Sequence, residues 1–103
     1  MRKLTAEDGS TMYVELSKIV YAAECDEGSI IQYESGWVRV KEAAETISKR
    51  FKKLTQENGK AIFVNRKMIV YVKNNGSGST LQYKTGWEKV GETAEEVYKV
   101  FNK

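Results

Sequence analysis

The chain aligns with itself. Residues 1–50 lie over residues 51–100 without a gap and are identical at 20 positions. Lys3-Leu4-Thr5 returns as Lys53-Leu54-Thr55, and Ile19-Val20-Tyr21 as Ile69-Val70-Tyr71. Gly28-Ser29, Gln32-Tyr33 and Gly36-Trp37 return as Gly78-Ser79, Gln82-Tyr83 and Gly86-Trp87. Other positions keep their character: Met12/Ile62, Tyr13/Phe63, Ile31/Leu81 and Ile47/Val97. A fixed period of this length marks two copies of one supersecondary unit, so any fold proposed for one copy must suit both sequences.

Each copy reads as short strands followed by a helix. Residues 2–5, 11–15, 19–24, 29–33 and 37–41 carry branched and aromatic residues between turn signals, as do 61–65, 68–73, 79–83 and 87–90. Glu57-Asn58-Gly59 is hairpin chemistry, with Ala6-Glu7-Asp8-Gly9 its looser equivalent. The period then changes. Ala44, Ile47 and Phe51 recur at helical spacing, as do Ala94, Val97 and Phe101, with Val100 widening the stripe. Glu42 and Glu45, and Glu92, Glu95 and Glu96, open these helices. Lys49, Arg50 and Lys52, and Lys99 and Lys103, close them, as the helix dipole favours. The first helix, ~10 residues by this reading, is marginal alone and must pack on the sheet.

The expected fold is therefore α+β: two pseudo-symmetric units, 1–50 and 51–103, of about five short antiparallel strands and a C-terminal helix. Phe51-Lys52-Lys53-Leu54 runs from helix into strand without a Gly, Ser or Pro linker. A ~50-residue unit buries too little surface to be comfortable alone. One fused domain over 1–103 is expected, with pseudo-twofold symmetry like a covalent dimer; two independent beads on a string are the alternative.

Composition narrows the chemistry. The 103 residues are 41% hydrophobic and 30% charged, which fits a globular chain, and no apolar run approaches the ~20 residues of a bilayer span. MRKLTAEDG carries no signal-peptide stretch, and a lone Cys25 suits a reducing cytoplasm. There is no His, which removes the usual general base, the commonest metal ligand and every Ser-His or Cys-His pairing. Glu24, Asp26 and Glu27 lack the spacing of a calcium loop, and Gly76-Ser77-Gly78-Ser79 lacks the Lys and helix of a phosphate loop. Neither an enzyme, a metal nor a cofactor is expected.

Binding residues are the remaining candidates. Strand alternation points Gln32, Trp37 and Arg39 outward, and Gln82, Trp87 and Lys89 likewise. A Trp-x-Arg/Lys pair can stack a partner's side chain or a base with its cation alongside. The competing expectation is that each indole folds across its hairpin and is buried. Glu88 sits oddly on what should be an inner face.

Charge divides the copies. Residues 1–50 hold seven Lys/Arg and nine Asp/Glu (net −2), residues 51–103 ten and five (net +5). Lys60, Arg66, Lys67, Lys73 and Lys84 would form a basic surface on the second copy, able to attract nucleic acid or to steer association between chains.

Lys53-Leu54-Thr55-Gln56-Glu57-Asn58-Gly59-Lys60 through Val64-Asn65, the strand Ile69–Val72 and the close Val90-Gly91-Glu92-Thr93-Ala94-Glu95-Glu96-Val97 resemble the FlbD-like small flagellar proteins. The first copy departs at Asp8, Ser10, Glu15 and Lys41–Ala44, and the tandem form is itself a departure. The resemblance, shared with many small bacterial and phage proteins, implies a non-enzymatic regulatory protein that docks on another protein. A fainter similarity to LytTR-type DNA-binding domains runs through Ile19–Glu24 and Ser29–Val40. Three functions are thus expected in turn: protein binding, nucleic-acid binding through the basic copy and Trp87, and sequestration of a small anionic ligand. The chain is expected to be a monomer or homodimer.

Overall fold

The computed structural model describes every residue except Lys49 and Lys103, so the expectation that those two lysines close the helices lies outside the described residues. The first half runs β1 (Arg2–Thr5), β2 (Thr11–Val14), a 3-10 turn (Leu16–Lys18), β3 (Ile19–Glu24), β4 (Ser29–Tyr33), β5 (Gly36–Val40) and α1 (Ala44–Ile47). The same order follows as β6 (Lys52–Thr55), β7 (Ala61–Val64), a 3-10 turn (Arg66–Met68), β8 (Ile69–Asn74), β9 (Ser79–Tyr83), β10 (Gly86–Val90) and α2 (Ala94–Phe101). The chain is thus a small, mainly antiparallel β structure with a C-terminal helix. The 3-10 turns are the elements that strand and helix periodicity did not predict.

Registers recur across the halves. Tyr21 faces Gln32 and Ala22 faces Ile31, while Tyr71 faces Gln82 and Val72 faces Leu81. Both ladders shift at the same place, between Ile19 and Tyr21 and between Ile69 and Tyr71. The first hairpin of each half folds back onto its fifth strand: Lys41 N donates to Thr5 O (2.9 Å) and Gly91 N to Thr55 O (2.7 Å). Ser29 and Ser79, wholly buried, donate to the carbonyls of Glu42 and Glu92 at 2.9 and 2.8 Å. These hydroxyls tie each fourth strand to the segment leading into the helix. Gly28, at φ +84°, lets that turn pass close to the fifth strand, since a Cβ there would lie 2.1 Å from Val40 O.

The halves meet at a strand seam. The five-stranded sheet has the order β5-β4-β3-β7-β6, so β3 of the first half pairs with β7 of the second. The register sets Tyr21 against Val64, Ala22 against Phe63 and Ala23 against Ile62. Asn65 extends it, its N–H donating to Val20 O (2.9 Å) and its amide to Ile19 O (3.0 Å). Gln56 reaches Glu24 O (3.0 Å), and Lys60 pairs with Asp26. Val20, Tyr21 and Ala23 enter a cluster that otherwise belongs to the second half, including Leu54, Ile62, Leu81, Tyr83 and Val97. Leu4, Ile19, Ile31, Val40 and Ile47 form the core of the first half. Ala44 of α1 covers the seam, packed with Ala22 and Phe63.

A twofold axis relating the halves would also set β2 beside β8. The sheets contain no such pair among the described residues; β8 ends a three-stranded sheet, β10-β9-β8, and β2 pairs with β1 alone.

The first helix is much shorter than its periodicity predicts. It spans Ala44–Ile47, because Ala43 at its N-cap offers no side-chain acceptor and Ser48 turns its hydroxyl back on Ala44 O (2.6 Å). By contrast, α2 starts with a capping box. Thr93 Oγ1 accepts from Glu96 N at 3.2 Å, and Glu96 Oε1 accepts from Thr93 N at 2.9 Å.

Candidate functional site

The hairpins β4–β5 and β9–β10 present the two indoles. Trp37 lies opposite Gln32 and Trp87 opposite Gln82. Inner-face Ile31 and Val40, and Leu81 and Val90, are buried, so alternation turns the tryptophans outward; each is 58% exposed. The expectation that they fold across their hairpins and are buried fails for that reason. Arg39 Cζ lies 6.0 Å from the Trp37 ring centroid and Lys89 Nζ 5.9 Å from that of Trp87, at the outer reach of cation–π attraction.

Gln32 and Gln82 hold these hairpins in shape. The amide of Gln32 donates to Tyr33 O (3.0 Å) and Gly36 O (2.8 Å), and Gln82 makes the same two bonds at the same lengths. Their donors are therefore engaged with their own turns. The amide oxygen of Gln82 also accepts from the Tyr71 hydroxyl at 3.4 Å. The two turns touch, Thr85 Oγ1 donating to Glu34 O. This joins the indole-bearing hairpins at their tips.

Glu88 now has a reason for its place. In the second half the inner face of β10 receives Tyr21 from the seam. Burial, followed by the charge of Glu88 and a hydrogen bond to it, pushes the Tyr21 hydroxyl well above the ordinary tyrosine range. Tyr83 is pushed up as well, by burial and then by Glu88. Val38 occupies the equivalent position in β5, where no described tyrosine is inserted.

Acidic groups lie close to each cation. A shallow concavity beside Trp37 and Arg39 is lined also by Glu7 and Asp8, and Glu7 N donates to Arg39 O (3.2 Å). Near Lys89, a second concavity is lined by Glu57, fifty residues on from Glu7. Asp8 is itself held below the usual carboxylate range, first by the Ser10 hydroxyl, which donates to it at 2.6 Å.

Two of the five basic residues named in the second half are engaged within the fold. Lys60 is engaged with Asp26 at the seam, a bond that raises the lysine's pKa and lowers the aspartate's. Arg66 Nη1 donates to Phe101 O (2.6 Å), satisfying the C-terminal end of α2. Lys67 follows Arg66 in the 3-10 turn, Lys73 lies on β8, and Lys84 sits in the β9–β10 turn; all three are exposed.

A groove of about 490 Å³ that no sequence pattern announces lies between the halves, lined by Arg2, Arg50, Lys67, Asn65, Ile47 and Phe51 among others. Its three cations come from three separate segments, so spacing carried no signal of it. No group of three or more potential metal ligands occurs among the described residues, and no described helix is long and apolar enough to cross a membrane. The chain matches no family model, no curated protein and no solved structure.

Proposed function

We propose that the chain is a small non-enzymatic binding protein, regulatory in role, that docks a protein partner through the joined hairpins β4–β5 and β9–β10. The observation that carries this reading is the exposure of Trp37 and Trp87, each with a cation beside its ring, on hairpins held in shape by Gln32 and Gln82. Trp and Arg are the residues that most often anchor protein interfaces. Glu7, Asp8 and Glu57 beside the two cations favour a protein of mixed charge over a polyanion such as nucleic acid. The FlbD-like resemblance of the second copy points the same way.

The tandem duplication belongs to the proposal. Twenty identities in fifty positions and the coincident register shifts support descent from one ~50-residue binding unit, fused into one domain. Duplication then supplies two indole–cation pairs to one partner. The lone Cys25, free in the structure, suits action in a reducing cytoplasm.

The test is affinity capture from nuclease-treated lysate, with the wild type against the double variant Trp37→Ala/Trp87→Ala. A protein retained by the wild type and lost from the variant is expected. Retention of the same proteins by both, or loss of all binding on nuclease treatment, overturns the reading.

A second reading has its own observation. The groove holding Arg2, Arg50 and Lys67 has no Asp or Glu among its described lining residues, which suits a small anion. Thermal-shift titration with inorganic phosphate and nucleoside phosphates tests it; an unchanged melting temperature in wild type and Lys67→Ala alike removes it.

A further inference from the structure

We infer that the chain self-associates head to tail, the open side of β8 in one copy pairing with the open side of β2 in the next. The internal seam is the template. It joins the third strand of one half to the second strand of the other, and among the described residues it leaves the complementary pair, β8 and β2, without a strand neighbour on one side. Fifty-residue spacing converts the seam register into Tyr71 opposite Val14, Val72 opposite Tyr13 and Lys73 opposite Met12.

Burial supports this assignment. Val20 is 1% exposed at the seam and Val70 is 67% exposed; Tyr21 is 8% and Tyr71 51%; Phe63 is 9% and Tyr13 63%. Tyr83, which receives Tyr21, is buried, whereas its counterpart Tyr33 is exposed. Four of the exposed large apolar residues are therefore those whose counterparts the seam buries. Scattered exposed apolar residues need no explanation, but these four fall on two surfaces already shown to fit each other in another part of the same chain.

The backbone is set for pairing. Ala6 N bonds to Ser10 O and Asn75 N to Gly78 O, which fixes the alternation in each strand. The peptide groups of Thr11, Tyr13 and Glu15 then point away from β1, and those of Val72 and Asn74 point away from β9. Their seam counterparts point inward: Asn65 N bonds to Val20 O, and Glu24 O accepts from Gln56. Charge agrees in sign, the half carrying β2 being net −2 and the half carrying β8 net +5.

Two substitutions make the open pair weaker than the seam. Lys73 stands where Ala23 is buried, an edge lysine of the kind that discourages pairing. Glu15 stands in place of Asn65 and has no amide to donate to Ile69 O as Asn65 donates to Ile19 O. The contact is accordingly reversible and concentration-dependent. Because it joins different surfaces, it builds chains or rings rather than a closed twofold dimer. It uses neither Trp37 nor Trp87, so it stands or falls apart from the proposed partner docking.

Sedimentation velocity of the full chain over a concentration series is the test. The mass should rise above 11.7 kDa with concentration, and more steeply in Lys73→Ala/Glu15→Asn. Tyr13→Pro and Val72→Pro each remove an outward N–H, which an edge strand tolerates, and each should stay monomeric alone. Mixed, they retain one intact pair of surfaces and should form a species of two chains and nothing larger. Tyr13→Lys and Val70→Lys serve in the same design should a proline variant fail to fold by circular dichroism. A wild type monomeric throughout, blocked variants that still associate, or a mixture that stays monomeric overturns the inference.

Discussion

The rings of Tyr21 and Tyr83 meet edge to face, centroids 6.3 Å apart and planes at 72°. Tyr21 comes from the first half and Tyr83 from the second, so this contact couples the folding of the two. Truncation of Tyr21 to Ala should cost about 3–5 kcal/mol in urea denaturation and lower the melting of both halves together. Loss of only a few tenths would mean that the seam contributes little. Tyr21→Phe keeps the buried ring and removes only the hydroxyl, and should cost no more than about 1 kcal/mol.

The same tyrosine gives a signature in alkali. Its hydroxyl is held above its ordinary value of 10.0 by burial and by Glu88. A raised pKa means that the folded state holds the proton longer. The stability it contributes is complete below pH ~10 and declines as pH rises further. Wild-type stability should therefore fall above pH ~10 more steeply than that of Tyr21→Phe. Parallel curves would contradict this.

Acid acts through different groups. Glu42 accepts from Thr5 N and from the Thr5 hydroxyl, both at 2.9 Å, and the backbone bond above all holds its carboxyl low. Asp8, Asp26 and Glu96 are also held low by their hydrogen bonds. Their contribution is present above the ordinary carboxylate range and is lost as pH falls below it through their lowered values. A stability profile that is flat down to pH ~3 would contradict this, and Glu42→Gln should make the fall shallower.

Capping explains the unequal helices and can be reversed. Thr93→Ala should cost about 1 kcal/mol and fray the start of α2. Ala43→Thr with Thr46→Glu writes the same capping box before α1. It should lengthen that helix, raising the helical circular dichroism signal and the melting temperature.

Glycine substitutions separate conformational strain from collision. At Gly9, φ is +91° with nothing within 4 Å of an added Cβ, so Gly9→Ala should cost about 1 kcal/mol. At Gly28 the added Cβ would meet Val40 O at 2.1 Å, which forces the turn to move. Thermal melts should show a clearly larger loss for Gly28→Ala.

Much of this fold can be read in the chain. Strand limits fall within a residue or two of those predicted because turn signals such as Glu57-Asn58-Gly59 and alternation in Ile31–Tyr33 act locally. The seam does not, because it depends on which open strand another strand reaches. Its one local trace is Ala22-Ala23, two small residues in β3 where the second half has Val72-Lys73. Ala22 lets Ala44 of α1 and Phe63 of β7 come close, and Ala23 enters the core of the second half. The short first helix escapes its periodicity, which predicts a longer one; the signal that separates it from α2 is Ala43, which lacks the hydroxyl that Thr93 uses. The place of Glu88 was not legible, because its partner Tyr21 lies sixty-seven residues away. The outward direction of Trp37 and Trp87 followed from alternation alone, but the capture of the Gln32 and Gln82 amides by their own turns required the hairpin geometry.

The most direct test of the binding account is titration calorimetry of the purified chain with the protein it captures. Trp37→Ala and Trp87→Ala should each weaken binding by about 2 kcal/mol, roughly thirtyfold. Tyr98→Ala, at a residue equally open to solvent but on α2, should leave it unchanged. Affinity unaltered in both tryptophan variants, or lowered as much by Tyr98→Ala, would contradict the account.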